Sequence, residues 1–210
     1  MVDFNKSKTK VNLARLFAGE CQDGARYQFI AQQAKTDKLN YLMDMMKILA
    51  KNEMAHAKIF YDLILTHGGE SLKNIEICGG FPFPSYQLNP GLKLTSDAEY
   101  SQFDNIYPTF AKIAQDEGYK DVAEAMLMVA EVEKAHAAIL KELFDKHKGK
   151  KLYKAQKTTM WKCSKCGYEK PGKEAWKTCP LCKYDQGYAE LHLESKQNWF
   201  ILNFILLIDF

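Results

Sequence analysis

Two stretches, Lys51–Ile59 and Glu131–Ile139, carry the same pairing of an acid and an imidazole: Glu53 with His56, and Glu133 with His136, each followed by Ala-x-Ile. Residues three apart on an α-helix lie on one face a turn apart, so the two side chains of each pair can reach one ion. The neighbours identify that face. Leu42, Met45, Leu49, Glu53, His56, Phe60 and Leu63 recur at steps of three and four, as do Val122, Met126, Val129, Glu133, His136, Leu140 and Leu143. Both pairs therefore fall on apolar stripes. One acid on such a stripe is ordinarily an edge residue whose head reaches water. Two matching copies imply a core that collects carboxylates, and unpartnered buried carboxylates cost several kcal/mol. A pair of metal ions would supply the countercharge.

Four helices are needed to position these groups. Leu13, Phe17, Glu20, Gly24, Tyr27, Ala31 and Ala34 repeat at helical spacing over about Lys8 to Thr36, with Glu20 interrupting the stripe. Asp37 is the expected N-cap of a second helix that runs to about Thr66 and ends at Gly68-Gly69. The Pro- and Gly-rich segment from His67 to about Leu94 reads as a long crossover. A third helix is expected from a Thr95 or Ser96 cap to Glu117, closed by Gly118, with Glu99, Gln102, Ile106, Phe110 and Ile113 inward and a kink or widening at Tyr107-Pro108. The fourth covers about Lys120 to His147. One Glu from the first and third helices plus Glu-x-x-His from the second and fourth is the pattern of ferritin-like di-metal carboxylate bundles with one long crossover. Oxygen and imidazole donors suit iron or manganese, and zinc stays open.

Beyond a short basic linker, Cys163-x-x-Cys166 and Cys179-x-x-Cys182 have the spacing of one four-thiolate site, with Trp161 and Trp176 placed to pack over it. Tetrahedral sulfur suits zinc or iron, and as a bare pattern a zinc ribbon is the simpler reading. Cys21 and Cys78 are left as free thiols. The domains expected are a bundle over 1–150, a linker over 151–157, a small β-rich metal domain over 158–194 and an apolar tail over 195–210. That tail is too short to span a bilayer. A net charge of +3 with scattered lysines gives no reason to expect a nucleic-acid partner, and without a signal-peptide pattern the expected location is cytoplasmic.

From about Leu13 to Leu191 the chain resembles the rubrerythrins. The matching stretches are Gly19-Glu20, Asn52-Glu53-Met54-Ala55-His56, Tyr107-Pro108-Thr109-Phe110-Ala111, Glu133-Lys134-Ala135-His136 and both cysteine pairs with Trp161. The resemblance implies a four-helix ferritin-like bundle joined to a rubredoxin-like domain, and it shifts the cysteine site from zinc towards iron. It also implies reduction of hydrogen peroxide to water at a di-iron centre in oxidative-stress defence. Electrons would come from a reductase or rubredoxin through the iron-tetrathiolate site, in a homodimer or larger homo-oligomer. Glu20 and His56 would serve one iron, Glu99 and His136 the other, with Glu53 and Glu133 bridging. Tyr27 and Tyr107 match positions whose hydroxyls could hydrogen-bond ligand carboxylates.

One position departs from the family. Its third helix usually carries Glu-x-x-Glu, and here the second acid is Gln102, which offers a neutral oxygen. The expected consequences are a less stabilised diferric form and a His56 that keeps its iron in both states. Asp23, one turn after Glu20, is read as an exposed or outer acid. Two other functional classes stay open at this level: a ferroxidase or iron-storage protein, and a non-catalytic metal-binding protein with a zinc ribbon.

Overall fold

The computed structural model describes residues 2–195 apart from 84 and 86, so the apolar tail lies outside them except for Ser195. Helix α1 (Lys8–Thr36) starts at Ser7, whose Oγ accepts from Lys10 N at 3.0 Å. Glu117, from the far end of the third helix, accepts from the backbone of Lys8 at 2.9 Å and of Thr9 at 2.8 Å. These carboxylate oxygens satisfy free N–H groups and oppose the helix dipole. Helix α2 (Asn40–Gly68) runs back against α1. The crossover leads to a third rod built from α3 (Leu88–Ser101), a π-helical turn (Gln102–Ile106) and α4 (Tyr107–Glu117). Helix α5 (Lys120–Lys148) pairs with that rod.

The core has two apolar halves with a polar slot between them. One half holds Tyr27, Leu42, Leu49, Leu92 and Leu140; the other holds Leu13, Leu16, Phe60, Tyr107, Val122 and Met126. Helices α1, α2 and α5 and the composite third rod each cross from one half to the other, and each carries its acids at the crossing. Burial of the apolar flanks drives bundle formation, and the slot comes with it.

Strands β1 (Lys154–Lys162) and β2 (Glu169–Glu174) form an antiparallel pair with a register shift between Lys154 and Thr159. Two loops of matching form follow the strands. Gly167 N bonds Cys163 O at 2.8 Å and Lys183 N bonds Cys179 O at 3.0 Å, while Cys163 N and Cys179 N reach Tyr168 O and Tyr184 O, each at 2.8 Å. Gly167 and Lys183 both take positive φ, of 75° and 63°. The small domain is seated on the bundle. Leu152, Leu191 and Leu193 join its core, Glu142 accepts from the Glu194 and Ser195 amides at 3.1 and 3.0 Å, and Gly187 lies directly on the Lys38 carbonyl.

Several sequence expectations need correction. Asp37 does not cap α2. It ends α1, its amide bonding Gln33 O, and the positive φ of 58° at Lys38 reverses the chain before α2 starts at Asn40. The third helix begins at Leu88 and not at Thr95 or Ser96, because Pro90 is tolerated in a first turn. Thr95 Oγ1 folds back on Gly91 O at 2.9 Å, and Ser96 Oγ bonds Ala137 O at 3.2 Å. The crossover is correspondingly shorter than expected. The widening expected near Pro108 is the π-turn, and its extra residue shifts the buried face: Tyr107, Ala111 and Ala114 are buried, while Ile106, Phe110 and Ile113 are only half-buried. Strand β1 starts inside the stretch 151–157 that the sequence reads as linker.

Candidate metal centres

The slot brings together the six side chains expected from the sequence. Glu53, Glu99, Glu133 and His136 are completely buried, and Glu20 and His56 are 1% and 7% exposed. Their donor atoms form two groups, Glu20, Glu53, His56 and Glu133, and Glu53, Glu99, Glu133 and His136, in each of which all atoms lie within 4.8 Å. The groups share Glu53 and Glu133. Each imidazole turns Nδ1 to the acids. His136 Nδ1 lies 2.9 Å from both Glu53 Oε1 and Glu133 Oε2; His56 Nδ1 lies 2.7 Å from Glu133 Oε1 and 3.3 Å from Glu20 and Glu53.

The arrangement has an internal twofold logic. Along the seam between α2 and α5, Glu53 faces His136 and His56 faces Glu133. Along the seam between α1 and the third rod, Tyr27 donates its hydroxyl to Glu99 and Tyr107 donates its hydroxyl to Glu20. Between those two contacts, Gln102 Nε2 donates to Asp23 Oδ2 at 2.8 Å. Both tyrosines are fully buried, and each phenol has its one proton committed to a carboxylate. Asn52 Nδ2 lies 3.4 Å from His136 Nε2 and completes the surroundings of that ring.

The electrostatics require countercharge. Burial, and then the Glu133 charge, push the Glu20 and Glu99 carboxyls well above the usual carboxylate range. Burial opposes the charged imidazole of His136, yet Glu53 and Glu133 outweigh it and hold its pKa at about 10. His56 is raised as well: burial opposes its charge, but Glu133, Glu20 and Glu53 prevail. Glu20 Oε2, both Glu53 oxygens, Glu99 Oε2, Glu133 Oε1 and His56 Nδ1 are buried without a well-directed hydrogen bond. Such a set of orphaned lone pairs fits a pair of divalent cations: four carboxylates cancel four positive charges, and two imidazoles complete the donor set.

At the cysteine site the four sulfurs also lie within 4.8 Å of one another, with Cys163 and Cys182, and Cys166 and Cys179, each 3.8 Å apart. A tetrahedron with metal–sulfur bonds of about 2.3 Å has edges of about 3.8 Å. The observed spacing fits one four-thiolate ion. Cys163 and Cys179 are buried and Cys166 is exposed, so one edge of the site meets solvent. Trp161 is buried with Ala175 and Ala189 in the small domain's own core and donates Nε1 to Gly172 O at 3.1 Å. Cys21 and Cys78 are free thiols.

Of the two readings the sequence left for Asp23, the structure gives the outer acid and not the exposed one. It is 3% exposed, and Arg26 Nη1 donates to its Oδ1 at 2.6 Å. Its three-residue step from Glu20 was the signal that it shares the inward face. Burial raises its pKa to about 6, although Arg26 and Gln102 pull the other way. Among the described residues no helix is long and apolar enough to cross a membrane.

The rubrerythrin family model matches residues 12–82 and 92–165. Rubrerythrin-1 of Clostridium acetobutylicum is 35% identical over 196 residues, covering 93% of this chain and 100% of that protein. A rubrerythrin of Nitratidesulfovibrio vulgaris is 29% identical, covering 91% and 97%. In fold, the chain is similar to a solved structure of nigerythrin in a mixed-valence state, with a TM-score of 0.57, 20% identity and coverage of 91% and 94%.

Proposed function

The chain belongs to the rubrerythrin family, and from that premise we propose that it is a non-haem iron peroxidase that reduces hydrogen peroxide to water in oxidative-stress defence. The observation that carries the reading is the pair of four-donor groups sharing Glu53 and Glu133, buried beside a separate tetrathiolate site. Glu20 and His56 would hold one iron, Glu99 and His136 the other, and Cys163, Cys166, Cys179 and Cys182 a third. When bound, the iron pair would supply the two electrons that cleave the oxygen–oxygen bond, and the thiolate-held iron would replace them singly.

The protein's own groups set the conditions for this chemistry. Tyr27 and Tyr107 each hold a proton on a carboxylate of the outer seam, which orients Glu99 and Glu20 and leaves their second oxygens free to bind. The apolar halves around Leu49 and Phe60 exclude bulk water from the slot. A cavity of about 290 Å³ beneath the crossover reaches Glu20, Gln102 and Tyr107 and offers a small molecule a way in. Each peroxide takes up two electrons and two protons to give two waters, and the exposed Cys166 edge is where a rubredoxin-type donor or reductase would deliver electrons.

The test is an anaerobic titration of reduced, iron-loaded protein with hydrogen peroxide. Oxidation of the iron pair by one equivalent of peroxide supports the reading. Ferrous protein that stoichiometric peroxide leaves unchanged rules it out.

A further inference from the structure

Gln102 stands at the centre of the seam between α1 and the third rod, flanked by the Tyr27–Glu99 and Tyr107–Glu20 contacts. Its orientation is fixed from behind. Asp23 accepts from Gln102 Nε2 at 2.8 Å and from Arg26 Nη1 at 2.6 Å, and Arg26 Nη2 donates to Gln22 Oε1 at 2.7 Å. A carboxylate paired with a guanidinium only accepts, so the amide must present its nitrogen to Asp23. That turns Gln102 Oε1 the other way, where it is buried and has no hydrogen-bond partner. The cavity beneath the crossover is walled at this level by Glu20, Asp23, Gln102 and Tyr107.

We propose that Gln102 is a substrate-contacting residue that selects hydroperoxides over dioxygen, its Oε1 accepting the O–H of the peroxide beside the metal pair. The inference rests on the peroxidase reading above and adds to it the group that discriminates between oxidants. The nearby phenol protons are committed to Glu20 and Glu99, and Arg26 is turned to Asp23 and Gln22. The inner end of the cavity therefore presents acceptors. Hydrogen peroxide brings O–H donors to them, and dioxygen brings none, so only peroxide satisfies the orphaned oxygen. Asp23 and Arg26 act through Gln102 and are positioning residues. A carboxylate in place of Gln102 would stand at hydrogen-bond distance from Asp23, and the two acids would have to share a proton.

The test compares wild type with Gln102→Leu and the longer Gln102→Met, each checked for helicity and for the iron pair. Rates of oxidation of the reduced protein are measured by stopped flow with hydrogen peroxide and, separately, with dioxygen. Loss of one hydrogen bond is expected to slow the peroxide reaction about five- to tenfold while leaving the dioxygen reaction within about twofold. A second readout needs no turnover. In zinc-loaded, redox-inert protein, the Gln102 side-chain carbonyl carbon is expected to shift when hydrogen peroxide is added, and its NH2 protons, slow to exchange in wild type, are expected to exchange freely in Asp23→Ala. A wild type inert to peroxide overturns the peroxidase reading and this inference together. A reactive wild type whose peroxide-to-dioxygen ratio is unchanged in both variants, or a Gln102 carbonyl that peroxide does not shift, overturns the inference alone.

Discussion

Removing a buried ligand should strengthen the metal-free protein and weaken the metal-bound one. Glu99 is fully buried, its Oε2 has no partner, and the charges of Glu133, Asp23 and Glu20 all oppose its ionisation. Replacing it with Leu removes that mismatch, and Tyr27→Phe in the same chain avoids stranding the phenol that now donates to it. Relief of one buried unsatisfied polar group is worth about 2 kcal/mol. For a chain of this size that raises the melting temperature of the metal-free bundle by about 4–8 °C. Metal reverses the order. At a free metal concentration a thousandfold above Kd, the wild type gains about 4 kcal/mol, or about 8–16 °C, and the double variant forfeits most of it with one half-site short of a ligand. Differential scanning calorimetry with chelator, and then with cobalt(II) as a redox-stable probe, measures both numbers. A metal-free double variant that melts below wild type would refute the reasoning, because Glu99 would then be contributing to the fold.

Metal binding should be coupled to proton release, since the ligands must be deprotonated to bind. The imidazole of His136, held to about 10, is charged at pH 7 in the metal-free protein, and the upward shifts of His56, Glu20 and Glu99 under burial and their neighbours' charges act in the same direction. Calorimetry in buffers of different ionisation enthalpy is expected to show net proton release on metal binding, at least the one held by His136, with affinity rising as pH rises; binding without proton release contradicts the assignment. The sign for metal-free stability is opposite. His136 is raised from 6.5 to about 10, so its contribution is complete below pH 6.5 and is lost as pH rises through 10, which urea unfolding at pH 6 and pH 10 would reveal. At the domain contact, Gly187→Ala would place a Cβ 1.8 Å from the Lys38 carbonyl oxygen. Overpacking of this kind costs about 1–3 kcal/mol, so limited proteolysis is expected to cut faster near 149–153 while the thiolate spectrum of the small domain persists.

Much of the site was legible because α1, α2 and α5 are uninterrupted helices. Their stripes of Leu13 to Ala34, Leu42 to Phe60 and Val122 to Leu143 follow one period, so each acid or imidazole on a stripe points into the slot. The third rod broke that logic. A single extra residue in the π-turn resets the phase after Glu99, which buries Tyr107, Ala111 and Ala114 in place of the residues a regular helix would select. For Asp23 the step from Glu20 placed it near the ligands, but the choice between an exposed and an outer acid depended on its partners Gln102 and Arg26, which come from another rod and from the next turn of α1. The seat of the small domain on Lys38 was equally hidden. It depends on Gly187 having no side chain, and nothing local in the sequence around that glycine names its distant neighbour.

The measurement that tests the central claim most directly is anomalous diffraction at the iron edge from crystals of the iron-loaded protein. Two peaks in the slot, one bound by Glu20 and His56, the other by Glu99 and His136, with Glu53 and Glu133 between them, and a third peak among Cys163, Cys166, Cys179 and Cys182, are the expected result. A single peak in the slot, or peaks out of bonding reach of His56 Nδ1 and His136 Nδ1, would contradict the account.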